Sequence, residues 1–324
     1  MKQNLSKKEA QELVWKFINE FRDRVVVNFS NLIDFIIIYG SSVRGEFVPG
    51  KSDVDIVIQI LKKEDKEMVE KIATEIFWEV VKKYPSLDFE KSLSTSHEKK
   101  RNALTAVLEK IEKKSFLFVP IFVFSKGEID WKKGEFHSNN PLIKAGQKVL
   151  VPQRTVFLRF KQEGKILYGR DIREEIDIQL TIFDRLRLGI LPLLLSFIGF
   201  VLSPFIPDKS RSYTVKALLY QIDALLTALS DYEQMQRDEK INKAQKMLLS
   251  EFTERLQKLL FLKLDHTRGI LRPMDFNLFQ VAVEIKWGSK KLNYFQNLWF
   301  AFKAFFFILR SNSRALALIM IRNK

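Results

Sequence analysis

Apolar residues recur at three- and four-residue steps through residues 6–29, where Leu13, Val14, Phe17, Ile18 and Phe21 share one face between charged neighbours. That spacing predicts an amphipathic helix. The pattern then shortens to an unbroken apolar run over 35–39 that ends at Gly40, which predicts a buried strand. A Gly- and Pro-containing stretch over 40–52 separates it from a second apolar run, 53–60. Helical spacing returns over 64–83, with Met68, Ile72, Ile76, Phe77, Val80 and Val81 on one face, until Pro85 stops it. Alternation over 86–93 predicts a third strand and 97–113 a helix. Further strands are predicted over 116–124 and 155–160, and 162–165 makes a turn before 166–169.

Beyond residue 174 the texture becomes long and helical, with segments predicted near 178–202, 212–236, 240–263, 275–286 and 291–320. The expected fold class is α+β: an α/β domain with a mixed sheet over 1–174, then an all-α helical bundle over 175–324, with the boundary near 172–178. A length of 324 residues accommodates two domains. The chain has no cysteine, which excludes thiolate metal sites, disulfides and a cysteine nucleophile. Its three histidines, His97, His137 and His266, are too scattered in sequence to predict a multi-histidine metal centre.

Charge adds a partner class. The net charge is +15, and it is uneven: residues 1–150 hold 26 basic and 22 acidic side chains, residues 151–324 hold 28 and 17. From Ile285 onward there are eight Lys or Arg and no acid. A basic surface favours polyanions.

The segment that carries chemistry is Ile38-Tyr39-Gly40-Ser41, eleven further residues, then Asp53-Val54-Asp55-Ile56. A glycine ending a strand lets backbone approach a ligand closely. The N–H groups of such a turn, with the Ser41 and Ser42 hydroxyls beside them, suit phosphate oxygens. Arg44 and Lys51 flank the turn and add positive charge. On a strand Asp53 and Asp55 project to one face. Two carboxylates beside a phosphate cradle form a hard oxygen site suited to Mg²⁺.

This arrangement resembles the signature of the DNA polymerase β-like nucleotidyltransferase superfamily, and Tyr39-Gly40-Ser41-Ser42-Val43-Arg44-Gly45 is similar to its small, minimal and antibiotic-type branch. The motif covers about twenty residues, and a weaker likeness extends over 1–170, where 162–169 is similar to a segment that closes the catalytic domain. The resemblance implies an ATP- or other triphosphate-binding enzyme with two Mg²⁺ ions. It would transfer a nucleoside monophosphate to an acceptor hydroxyl and release pyrophosphate. It implies Asp53 and Asp55 as metal ligands and catalytic acids, with Gly40, Ser41, Ser42, Arg44 and Lys51 binding nucleotide.

Active members present a third carboxylate, and here two places compete. Asp88, with Glu90 two residues on, lies where a third strand is expected; the apolar strand 117–124 offers no acid. Asp88 is the candidate for the third metal ligand and base. If the functional strand is 117–124, either Glu128 or Asp130 substitutes, or the chain is a nucleotide- or partner-binding module without catalysis. Tyr213, Lys216, Tyr220 and Asp223 share a helix face that resembles an acceptor-lining helix. The basic second half tilts the expected acceptor toward RNA or another large anion.

The uncharged run 188–207 is long enough to span a bilayer, but its three prolines, two glycines and two serines favour a core helix, so membrane contact is not expected. The aromatic and basic tail from Trp287 to Arg314 is read first as core packing. With no apolar leader at the N-terminus, the expected compartment is the cytoplasm. The sequence does not fix the oligomeric state.

Overall fold

The computed structural model describes residues 5–89, 121–137, 153–230, 237–251 and 275–322. Two compact units divide the chain: Met1–His137 with Phe157–Asp177, and Ser138–Val156 with Ile178–Lys324.

The first unit begins with α1 (Lys7–Phe29). Ser6 caps it and Glu9 reaches back to the Ser6 N–H, a reciprocal capping box that fixes where the helix starts. β1 (Ile33–Tyr39) and β2 (Asp55–Ile60) follow, joined by the 40–54 loop. Next come α2 (Lys66–Lys83), β3 (Ile121–Ser125), a small hairpin of β4 (Ile129–Asp130) and β5 (Glu135–Phe136), α3 (Gln153–Glu163) and β6 (Lys165–Gly169).

The sheet is mixed, in the order β3-β2-β1-β6. β1 runs antiparallel to both β2 and β6, and β2 runs parallel to β3. Central position explains the unbroken apolar run of β1: both its faces are covered. Ile36 and Ile38 join the core that α1 and α2 complete with Phe17, Phe21 and Phe77. On the other face Phe35 meets Trp131, whose ring also packs edge-on against Phe157 and Phe160.

Two predicted elements differ. Residues 155–160 are helical, within α3, and not a strand. Phe157 and Phe160, three residues apart, both bury against Trp131, so the run satisfies helical spacing as well as it satisfied strand composition. Residues 86–89 form no strand either. Pro85 opens a single 3-10 turn, Pro85–Leu87, and Asp88 closes it in the left-handed conformation (φ 53). The remainder of that predicted strand, with Glu90, lies outside the described residues, as do 97–113 and 116–120.

The second unit is helical: α4 (Ile182–Arg187), α5 (Ile190–Leu202), α6 (Pro207–Leu229), α7 (Arg237–Lys246) with a π turn at Met247–Glu251, α8 (Asn277–Trp287) and α9 (Tyr294–Arg322). The segment predicted as one helix over 178–202 is split. Thr181 and Asp184 form a capping box that starts α4. Pro192 lacks an N–H, and it is tolerated because α5 begins afresh at Ile190 and places it in the first turn. α6 is the central helix, buried almost continuously from Thr214 to Leu229. Within it Asp223 is buried and receives a 2.8 Å bond from Lys240 Nζ. This carboxylate of the predicted acceptor face is therefore held inside the bundle as half of an ion pair.

Candidate functional site

The 40–54 loop is built from local hydrogen bonds. Arg44 N donates to Gly40 O (3.2 Å) and Glu46 N to Ser41 O (2.9 Å). At the far end Ser52 N donates to Val48 O while Val48 N donates to Ser52 Oγ, at 2.9 and 3.0 Å. Gln11 of α1 anchors the middle by donating to Ser42 O. These bonds turn the chain back so that Asp55, the first residue of β2, pairs with Tyr39, the last of β1.

Gly40 stands at this crossing with φ 87, and a Cβ built on it would lie 2.7 Å from Asp55 Oδ2. Only glycine permits both the backbone conformation and the approach of that carboxylate. Gly40→Ala is expected to cost about 1–3 kcal/mol of stability through strain and to displace Asp55. Thermal denaturation with nucleotide titration would read the two effects separately, and an unaltered Tm with unaltered binding would refute this role for Gly40.

The strand predicted from Asp53 begins at Asp55, with Val54 buried just before it, and Asp53 stays near enough for its charge to act on the Asp55 carboxyl. Burial and the neighbouring Asp53 charge push the Asp55 carboxyl up to about 8, while Arg44 and Arg159 pull it down. Two like charges in one desolvated place favour a bound proton or a cation. A divalent ion satisfies that demand, so the donor set fits Mg²⁺.

The turn after β1 has unspent hydroxyls. Ser41 Oγ and Ser42 Oγ are buried and have no hydrogen-bond partner among the described residues. A buried hydroxyl without a partner carries a desolvation cost that a ligand oxygen would remove. Arg44, by contrast, is engaged. Its guanidinium bonds the fully buried Glu163 at 2.7 Å and Glu46 at 3.3 Å. Lys51 is exposed at the loop's far end.

Asp88 lies against the same loop at Gly50. Gly50 N donates to Leu87 O at 3.0 Å, and a Cβ on Gly50 would lie 2.9 Å from Asp88 Oδ2. Among the described residues no group of three His, Asp or Glu side chains converges as a metal site. β3, which pairs with β2 in register Ile56 to Ile121, carries no acid over Ile121–Ser125. Glu128 is held by Lys66 Nζ at 2.8 Å, and Asp130 accepts from Lys133 N at 2.9 Å within its own turn.

Two residues near the site were not singled out from the sequence. Arg159 was hidden by the strand reading of 155–160. Glu163 sits in the 162–169 segment, but nothing in its local pattern marked it as the buried partner of Arg44.

Residues 17–128 match the family model described as a nucleotidyltransferase domain. No curated protein matches the chain. Among solved structures it is similar to spectinomycin adenyltransferase from Enterococcus faecialis with ATP and spectinomycin, at 12% identity and a TM-score of 0.44, covering 93% of this chain and 98% of that one.

Proposed function

On the match of residues 17–128 to a nucleotidyltransferase domain, we propose that this chain is a Mg²⁺-dependent enzyme that moves a nucleoside monophosphate from a triphosphate to an acceptor hydroxyl. The observation that carries the reading is the meeting of Gly40, Ser41 and Asp55: a glycine turn with an unpartnered buried hydroxyl beside a carboxylate pair that needs a counter-charge.

In this reading the Ser41 and Ser42 hydroxyls and the N–H groups of the turn hold phosphate oxygens. Asp53 and Asp55 would hold Mg²⁺, which when bound neutralises charge building on the phosphoryl oxygens. The acceptor oxygen forms its bond to the α-phosphorus. The bond from that phosphorus to the oxygen bridging the α- and β-phosphates breaks, and pyrophosphate leaves. The acceptor proton passes to a base, a role we assign to Asp88, which enters the proposal as base and not as a third metal ligand. Arg44 serves this site chiefly by tying the loop to Glu163 at the end of α3. The acceptor class proposed is a large anion such as RNA, on the strength of the net charge; a small hydroxylated molecule is the second reading.

Ser41→Ala tests the cradle. The hydroxyl has no internal partner to lose, so the melting temperature should hold, while triphosphate affinity falls about tenfold, the worth of one hydrogen bond to a charged oxygen. Calorimetric titration with each triphosphate and Mg²⁺ reads it, and unchanged affinity would remove Ser41 from the site. Asp88→Asn should lower turnover about 10²–10⁴-fold at unchanged nucleotide affinity if Asp88 is the base.

A further inference from the structure

The second unit is packed with its residue types inverted along one side. α5 buries Pro192, Ser196, Gly199 and Leu202, and turns Leu194, Phe197 and Val201 outward. Asn312 Nδ2 donates to Gly189 O at one end of α5, and Tyr294 Oη donates to Pro204 O just past the other. The two helices α5 and α9 therefore run antiparallel. Between those ends Phe200 stacks on Phe305, 5.6 Å between centroids.

α9 continues the outward face with Trp299 (57% exposed), Phe302 and Phe306. The interior beneath holds Ser210, whose hydroxyl donates to Gly199 O, the fully buried Asn297, and Gln221, whose amide reaches Ser311 and Asn312. Large apolar side chains outside, with Ser, Gly, Asn and Gln at the helix contacts, is the arrangement used where the surroundings are hydrocarbon. In water it leaves an unusually large exposed apolar surface.

A slot opens in this same unit, a cavity of about 200 Å³ between α5, α6 and α9. Apolar side chains such as Ile190, Leu309 and Leu316 line it, and Arg185 is also among its lining residues. The charge around the face is predominantly basic, although Lys290 and Lys303 pair with Glu284 and Asp275 and Arg314 is buried. Residues 188–207 carry none, and the chain from Ile285 onward has only Lys and Arg. A protein partner would need an apolar patch of its own; an anionic bilayer offers hydrocarbon and negative headgroups together.

We infer that the α5–α9 face docks on an anionic lipid bilayer, with Trp299 and the phenylalanines entering the acyl boundary and the basic residues meeting headgroups. This departs from the expectation that 188–207 is a core helix without membrane contact, because the helix is buried along one side only.

The full-length protein would be mixed with vesicles of phosphatidylcholine alone or with phosphatidylglycerol added, and bound protein separated by flotation. Binding to the anionic vesicles should exceed binding to neutral ones at least tenfold and weaken with salt. Acyl chains carrying bromine should quench tryptophan fluorescence, and the quenching should shrink in Trp299→Phe. The triple variant Phe197→Ser, Trp299→Ser, Phe306→Ser alters exposed positions only, so circular dichroism should be unchanged while flotation is lost. Absence of flotation with the native chain would overturn the inference. So would a concentration-dependent dimer, seen by light scattering, that the triple variant abolishes, because the face would then belong to a second copy.

Discussion

Asp55→Asn is expected to remove transfer activity by about a thousandfold, the scale seen when a main electrostatic stabiliser of a reacting group is lost, while making the metal-free protein more heat-stable at pH 8. Both effects come from one cause. The Asp55 carboxyl is pushed up to about 8 by burial and by Asp53. A raised folded value means that the folded state holds a proton which the unfolded chain releases near pH 4. Stability from this group is therefore complete below about pH 4 and declines as pH rises toward 8. Asparagine keeps the shape and removes the charge, so the decline disappears. The gain at pH 8, about 1–3 kcal/mol for a desolvated charge no longer imposed, corresponds to several degrees in Tm. Metal affinity follows the same logic. Mg²⁺ must displace the proton, so its dissociation constant should fall as pH rises and level off above about 8. Melting curves across pH 5–9, with and without Mg²⁺, read all of this. An Asn variant whose Tm tracks the native protein at every pH would contradict the assignment.

Arg44→Ala should be the most damaging change to folding near the site. The Arg44 side chain is 16% exposed and that of Glu163 is not exposed at all, with 2.7 Å between them. Truncating the cation takes the 2.7 Å partner from the buried Glu163 carboxylate and the 3.3 Å partner from Glu46. Breaking such a pair costs about 3–5 kcal/mol. A unit of this size would lose on the order of 10 °C in Tm. Glu163→Gln should cost less, since it preserves an acceptor for the guanidinium. The double variant Arg44→Met, Glu163→Leu removes both charges and should recover much of the lost stability. If it also recovers nucleotide affinity, Arg44 acts only as a strut; if affinity stays low, the guanidinium touches phosphate as well. An Arg44→Ala protein as stable as the native one would refute the buried-pair account.

The parts of the fold that could be read from the sequence are those whose side-chain pattern has one physical solution. β1 is apolar without a break from Phe35 to Tyr39 because a central strand is covered on both faces, and α1 and α2 show a single apolar stripe each. The nearness of Asp53 and Asp55 was legible from their spacing of two, although β2 begins only at Asp55. Residues 155–160 were not, because Thr, Val and Phe in a short run suit a strand and a buried helix equally, and only the packing of Phe157 and Phe160 on Trp131 decides. Asp88 was placed on a strand by local alternation, but a left-handed residue after a Pro-initiated turn overrides it. The Arg44–Glu163 tie joins residues 119 apart, and no local pattern encodes such a pairing.

Nucleotidyl transfer itself can be measured directly. The full-length protein would be incubated with each α-labelled triphosphate and Mg²⁺, with total RNA, with a hydroxylated small-molecule panel, or with no added acceptor, beside an Asp53→Ala, Asp55→Ala control. Label appearing in an acceptor with matching pyrophosphate release, and absent from the control, is the predicted result. Mg²⁺-dependent triphosphate binding without transfer to any acceptor would contradict it and make this chain a nucleotide-binding module.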